Sequence, residues 1–309
     1  MSKILLTGDW HIKASNPRNR IGQYKKQQWD KIEWILDLAD RENCLCILQP
    51  GDLFDNRQMP EEIKTDYIYL FKRSKVPIFT VYGQHDMQYH KNKRNSAMAV
   101  LESADAIRVL SDVPIEVDDN VHVYGASWGE EIPDVVNKGN INILVIHTMV
   151  IEERLLWPGQ KRFTKKNILM KGNNDYDIFC CGDNHNTFYD DNGRQQVFNL
   201  GSLMRSTIAQ LAHEPTVAIH DIDNDSLELY KVPIEPAEIV FDVEKINKET
   251  DRADFTEFFN LLSSEAKDTG VDFETNVKML SDKAKFTEEE QVIARNYISE
   301  YHQSKEERL

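Results

Sequence analysis

Acidic and imidazole side chains recur in this chain where short apolar runs stop at or beside glycine. Ile4-Leu5-Leu6 ends in Gly8-Asp9-Trp10-His11, and Leu45 to Leu48 ends in Pro50-Gly51-Asp52-Leu53-Phe54-Asp55. Val76 to Tyr82 runs into Gly83-Gln84-His85-Asp86, Ile141 to Ile146 stops at His147, and Tyr176 to Cys181 leads to Gly182-Asp183-Asn184-His185. Imidazole and carboxylate, with no thiolate among them, suit Mn, Fe, Zn or Mg rather than a soft metal. A carboxylate such as Asp52 can bridge two ions, and such a pair clamps the attacking and leaving oxygens of a phosphoryl displacement. Taken singly, each residue has a plainer reading as a turn acid or a core histidine. Unrelated turns would not keep ending strands in Asp or His in this order.

The elements that must position these residues are strands. Apolar runs of this length closed by Gly read as buried strands, and α/β folds place their chemistry in the loops at strand C-termini. A helical pattern from about Gln23 to Arg41 follows the first strand, and Pro60 opens another that turns Ile63, Tyr67, Leu70 and Phe71 to the core. This strand–helix–strand rhythm implies right-handed parallel crossovers. Further strands are expected at Ile107–Leu110, Ile115–Val117 and Val121–Gly125. Antiparallel pairs are expected around Asp190-Asp191-Asn192-Gly193 and around Asn224-Asp225. Pro233 and Pro236 mark a boundary, giving a main domain over 1–235, a linker or reduced cap over 236–285 and a C-terminal helix over 286–309. Ile239–Val243 reads as a strand, and Thr287 with Glu290 is a capping box.

Composition narrows the classes. The 309 residues suffice for one large α/β domain with an appendage. No apolar run approaches the roughly 20 residues of a membrane helix, and with no leader sequence read at the N-terminus the chain is expected to be cytoplasmic. Cys44, Cys46, Cys180 and Cys181 read as reduced core thiols. The net charge of −15 argues against a nucleic-acid partner at first sight. More than half of that excess, −8, falls on residues 236–309, so local patches must decide.

The ordered set Gly-Asp-x-His, Gly-Asp-x-x-Asp, Gly-x-His-Asp, His and Gly-x-x-His resembles the calcineurin-like metallophosphoesterases. Within them it is similar to the SbcD branch, the nuclease subunit of a DNA double-strand-break repair complex. Asp9-Trp10-His11, Gly51-Asp52-Leu53-Phe54-Asp55 and Gly201-Ser202-Leu203-Met204-Arg205 carry that finer likeness. The resemblance implies an α/β sandwich of two mixed β-sheets flanked by helices, with a short helical C-terminal extension. It implies that Asp9, His11 and His185 bind one metal, Asp52 bridges, and Gln84, His147 and Asp183 bind the other. His85 would protonate or stabilise the leaving oxygen, with Asp86 orienting its ring. Two divalent ions are implied, manganese first and magnesium as the alternative. The family pattern has Asn where this chain has Gln84 and His where it has Asp183, so both departures fall on one metal.

DNA is the expected substrate because basic residues lie in the loops after these motifs. They are Arg18 and Arg20, then Lys91, Lys93 and Arg94, then Lys161, Arg162, Lys165 and Lys166. Tyr89, Trp157 and Phe163 lie among them and could stack on bases. The final helix carries Val292, Ile293, Tyr297, Ile298 and Tyr301 on one side, a face suited to helix-in-groove docking. By resemblance its partner is an SbcC-type coiled-coil ATPase, within a complex that holds two copies of this chain. The short acidic form suggests a compact viral version. The alternatives are a phosphodiesterase acting on RNA or small nucleotides, and a catalytically weakened scaffold.

Overall fold

A computed structural model describes residues 2–242, apart from 19, 88–91, 157–159 and 208–209. The expected C-terminal helix over 286–309 and most of the 236–285 region lie outside the described residues.

Two six-stranded sheets face each other. The first has the order β14-β13-β1-β2-β3-β4, built from β1 (Lys3–Leu6), β2 (Cys46–Gln49), β3 (Ile78–Thr80), β4 (Arg108–Val109), β13 (Thr216–Asp221) and β14 (Ser226–Lys231). β1 to β4 run parallel, and the hairpin of β13 and β14 adds antiparallel to β1. The second has the order β11-β12-β10-β7-β6-β5. Its strands are β5 (Ile115–Asp118), β6 (Val121–Ala126), β7 (Ile141–His147), β10 (Ile178–Gly182), β11 (Thr187–Asp191) and β12 (Gln196–Leu200). Its four central strands are parallel and its edges antiparallel. A two-stranded ribbon, β8 (Val150–Ile151) with β9 (Thr164–Lys165), stands apart.

The central strands are largely apolar because both faces of each sheet are covered there, whereas the edge strands β11 and β14 carry more polar and exposed residues. Ile4 and Leu6 meet Ile143, Val145 and Cys180 between the sheets. Leu5 and Ile47 face the other way, onto α1 (Tyr24–Arg41), α2 (Glu61–Arg73) and α3 (Ala97–Ser103). Leu144, Phe179 and Cys181 face Leu169 and Met170 of α4 (Lys166–Gly172). All four cysteines are buried and free, as expected. Among the described residues no helix is long and apolar enough to cross a membrane.

One local expectation changes. The strand expected over Ile239–Val243 does not form among its described residues: after Pro236 the chain makes the short helix α5 (Ala237–Val240), and Phe241 forms an isolated bridge with Arg20. Pro236 fixes the backbone for a helical start, which a strand reading of the apolar pair Ile239-Val240 overlooks. The helices α3 and α4 carry only seven residues each, too short for a helical period to stand out.

Parallel strands bring the C-termini of β1, β2 and β3 to one rim, and Gln49 pins them there. Its fully buried amide accepts from Thr80 Oγ1 at 2.5 Å and from Gly51 N at 3.1 Å, and donates to Gly51 O at 2.5 Å and Gly8 O at 3.3 Å. Gln49→Leu strips the acceptor from Gly51 N–H and the donor from two carbonyls. It should destabilise the fold by about 2–4 kcal/mol in denaturant unfolding; a loss near zero would show that the rim holds without it.

Candidate metal centre

The five motif-bearing strand ends, three from the first sheet and two from the second, converge on one buried cluster. Asp9, His11 and His185 present donor atoms within 4.8 Å of one another, as do Asp9, Asp52 and His147, and as do His11, Asp52 and His85. Asp52 stands at the middle. Its Oδ1 accepts the backbone N–H of His85 at 2.9 Å. Its Oδ2 has no hydrogen-bond partner and lies 3.4 Å from His147 Nε2, 3.8 Å from His11 Nε2 and 3.9 Å from His85 Nε2. His11 Nε2 and His185 Nε2 approach to 2.9 Å, and Asp9 Oδ2 lies 3.7 Å from His185 Nε2.

Local backbone geometry aims these groups. His11, Asp52 and Asp183 all have positive φ, a conformation costing about 1–2 kcal/mol for most residues with a Cβ. Asp and His adopt it more readily than β-branched residues, so the site sits on turns that ligand-type residues tolerate. Gly51 also has positive φ, and a Cβ there would lie 2.6 Å from His147 Nδ1. A Cβ on Gly182 would lie 2.6 Å from Asp9 Oδ1 and 2.7 Å from His147 Nδ1. The glycines are the space into which the ligand side chains pack.

Several groups without an obvious role in the sequence hold the cluster in place. Asn199, fully buried, donates to the carbonyls of Asn184 and Asn186 at 2.7 and 2.6 Å and so fixes the loop bearing His185. Asp55 accepts His85 Nδ1–H on its carbonyl at 3.1 Å, while its carboxylate lies 3.6 Å from His11 Nδ1 and 2.5 Å from Lys13 Nζ. Its only sequence signal is its place four residues after Gly51. Asp86 does not contact the His85 ring as expected. It accepts the backbone N–H groups of Phe54, Gly83 and Leu53 at 2.9, 3.0 and 3.2 Å, tying the β2 loop to the β3 loop. Burial, then the charge of Asp52, raises its carboxyl to about 7 against those bonds.

The buried donors fit a divalent ion. Asp9 Oδ1, Asp52 Oδ2 and His147 Nε2 are buried with no hydrogen-bond partner, an unusual state for three neighbouring polar atoms. His147 Nδ1 donates to Pro50 O at 2.6 Å, which leaves Nε2 to face the cluster. The charge balance without an ion is strained. Burial, only partly offset by His147 and reinforced by Asp52 and Asp183, pushes Asp9 well above the usual carboxylate range. Burial likewise drives His11 well below its ordinary value, against the pull of Asp52. His147 goes the other way: burial lowers it, but Asp52, Asp9 and Asp183 more than offset burial and raise it to about 10.

The remaining expected residues scatter. Gln84 and Asp183 join each other, Gln84 Nε2 donating to Asp183 Oδ1 at 2.7 Å, while Asp183 N–H donates to Asp9 Oδ2 at 3.0 Å. Arg18, Arg94, Lys161 and Arg162 are exposed. Lys93 is engaged by Glu130, and Lys166 by Asp190 at 3.2 Å and Glu152 at 3.5 Å, so neither is a free phosphate contact. Lys165 is half-buried in β9. Arg20 departs most: it is buried under the rings of Tyr24 and Phe241, not set in a surface ring. Lys91, Tyr89, Trp157, Val292, Ile293, Tyr297, Ile298 and Tyr301 lie outside the described residues. Beside the His185 loop a cavity of about 400 Å³ is lined by Glu152, Arg154, Leu156, Lys166, Asn184 and Thr187.

The His147 shift sets a pH dependence. Raised from 6.5 to about 10, it stabilises the metal-free fold fully below about pH 6.5, and that contribution is lost as pH rises through about 10. An ion must displace this proton. Metal uptake should therefore release at least one proton per chain, and apparent affinity should rise about tenfold per pH unit between about pH 6 and 9. Calorimetry in buffers of different ionisation enthalpy reads this directly; uptake without proton release would contradict the assignment of His147.

A family model described as calcineurin-like phosphoesterase matches residues 2–176. Among curated proteins, the DNA double-strand break repair protein Mre11 of Sulfolobus acidocaldarius is 30% identical over 129 residues, covering 40% of this chain. The chain spans only 33% of that relative's length. Among solved structures, TT1561 of Thermus thermophilus aligns with TM-score 0.49 and 17% identity, covering 75% of this chain and 99% of that one. A dimetal phosphatase from Danio rerio aligns with TM-score 0.49 and 13% identity, covering 74% and 95%. The matched family region fills more than half of the sequence and includes four of the five strand ends that build the cluster; the chain belongs to the calcineurin-like phosphoesterase family.

Proposed function

We propose that this protein is a metal-dependent phosphodiesterase acting on DNA, with manganese as its ion in a two-ion site bridged by Asp52. The observation that carries the reading is the buried set of unpartnered polar atoms, Asp9 Oδ1, Asp52 Oδ2 and His147 Nε2, lying beside an exposed histidine, His85. Divalent ions held there would supply Lewis-acid polarisation of the phosphoryl oxygens. Asp9, His11 and His185 would hold one ion; His147, with Gln84 and Asp183 flanking it, would hold the other.

His85 does the proton work. Its Nδ1 hydrogen is directed to the Asp55 carbonyl, so Nε2 is the atom that faces the reaction. Its side chain keeps 45% of its exposure, enough for a leaving oxygen to reach it. Asp52 Oδ2 lies 3.9 Å from that nitrogen, which places the ring beside the cluster, where a proton can pass to the leaving oxygen. The exposed Arg18, Arg94, Lys161 and Arg162 favour a polyanionic strand over a small neutral ester. A DNA-repair role beside an SbcC-type ATPase rests on the sequence resemblance and on the partial likeness to Mre11. Deleting 286–309 should abolish ATPase binding if that segment is the docking helix.

One observation favours a second reading. The hydrogen bond between Gln84 and Asp183 joins the two residues that depart from the family pattern. If it persists with metal, the second ion is weakly held and the protein is a scaffold that retains the fold.

Turnover of linear DNA, RNA and cyclic nucleotides with saturating manganese separates the readings. DNA cleavage that falls about 10²–10⁴-fold in His85→Ala, with metal binding kept, is the expected result. Preference for RNA or cyclic nucleotides would replace DNA as the substrate. No turnover on any of them, together with activity gained in Gln84→Asn/Asp183→His, would establish the scaffold.

A further inference from the structure

A second cavity lies away from the metal cluster, between α1, the segment following Gly201 and the chain from 233 to 240. It holds about 310 Å³ and is lined by Arg20, Lys31 and Arg205 among others. These three cations retain only 6%, 8% and 4% of their exposure. Arg and Lys are almost never buried this deeply without a carboxylate partner. Among the described residues, none of the three forms an ion pair.

Their contacts satisfy them only in part. Arg20 donates one Nη to Gln27 Oε1 and lies over the rings of Tyr24 and Phe241, 5.1 and 4.9 Å from the centroids. Arg205 donates to the carbonyl of Leu211 at 3.1 Å and to that of Glu235. Lys31 donates to Leu203 O at 3.0 Å, leaving two of its three hydrogens unused by that bond. The Nε atoms of Arg20 and Arg205 are buried and have no acceptor. Acidic groups nearby do not close the balance. Asp30 on the rim is tied to Lys26 at 2.6 Å, Glu235 contributes its carbonyl, and the charge of Glu238 reaches Arg205 without an ion pair. Burial, then repulsion from Arg205 and Arg20, lowers Lys31 to about 7.

We propose that this cavity binds a phosphate group, received by the Arg20 and Arg205 guanidinium groups and the Lys31 ammonium that line it. Two guanidinium groups and an ammonium offer donors from three elements, a match for an oxyanion with acceptor oxygens on every side. The volume exceeds that of one phosphate, and the partly buried Trp34 and exposed Ile234 give its mouth apolar walls for an attached sugar or base. Among the described residues, the site reaches the metal centre through the backbone: Lys31 holds Leu203 O, and Leu203 N–H donates to Asp9 O at 2.8 Å. It therefore stands independently of the metal-dependent reading above.

Thermal unfolding of the full chain under chelator, with inorganic phosphate titrated against chloride at constant ionic strength, tests the site without the metals. The melting temperature should rise by about 5 °C at a phosphate concentration ~100 times its Kd. That rise should disappear in Arg20→Gln and Arg205→Gln and persist in Lys161→Gln. Arg20→Lys keeps the charge but lacks the planar guanidinium fork, and it should lose most of the rise even if the glutamine variants unfold. No rise with the unaltered chain, or an equal rise in the arginine variants, would overturn the proposal. The source of the phosphate is read from DNA binding. A salt slope reduced by about one unit in Arg20→Gln assigns a strand phosphate, and an unchanged slope assigns free phosphate or a nucleotide.

Discussion

The carboxylate of Asp52 is fully buried beneath three imidazoles, and much of the molecule follows from the need to keep it there. Removing a carboxylate from water costs several kcal/mol unless opposite charge and hydrogen bonds replace the solvent. Here the His85 N–H serves one oxygen and the His147 imidazole faces the other. Burial tends to raise Asp52, but His147, His11 and His85 hold it below the usual carboxylate range. The proton that His147 retains in the metal-free chain stands in for an ion. Bringing imidazoles from β1, β3 and β7 onto one carboxylate requires both sheets to end their parallel strands at the same rim. The glycines that follow those strands then leave room for the side chains that cross between them.

The strand ends are legible because a strand buried on both faces writes a continuous apolar run, and its stop is visible in the sequence. Asp9, His11, Asp52, His147 and His185 can be gathered from those stops alone, since parallel crossovers place successive C-termini together. What escapes is tertiary. Gln49, Asn199 and Asp55 brace the site through partners that no local pattern announces. Asp86 reads as a partner of its neighbour, His85, but its oxygens take backbone N–H groups from the β2 loop. Arg20 groups with Arg18 as a surface cation, yet its burial depends on Phe241, far along the chain.

Gln84 and Asp183 illustrate how two departures from a pattern can answer one another. A side chain lengthened by a methylene meets an acid across the site, and the hydrogen bond between them joins the β3 loop to the β10 loop. Asp183 also steadies Asp9 through its backbone N–H. The Gln84–Asp183 side of the cluster is thus braced by its own residues, while the side built on Asp9, His11 and His185 gathers one carboxylate and two imidazoles. If the site holds two ions as proposed, any difference in their affinity would originate in that contrast.

Anomalous diffraction at the manganese edge, from crystals grown with the metal, measures the centre most directly. One ion against Asp9, His11 and His185 and a second against His147, with Asp52 touching both, is the predicted result. A cluster without manganese, its acids still balanced by a protonated His147, would contradict it.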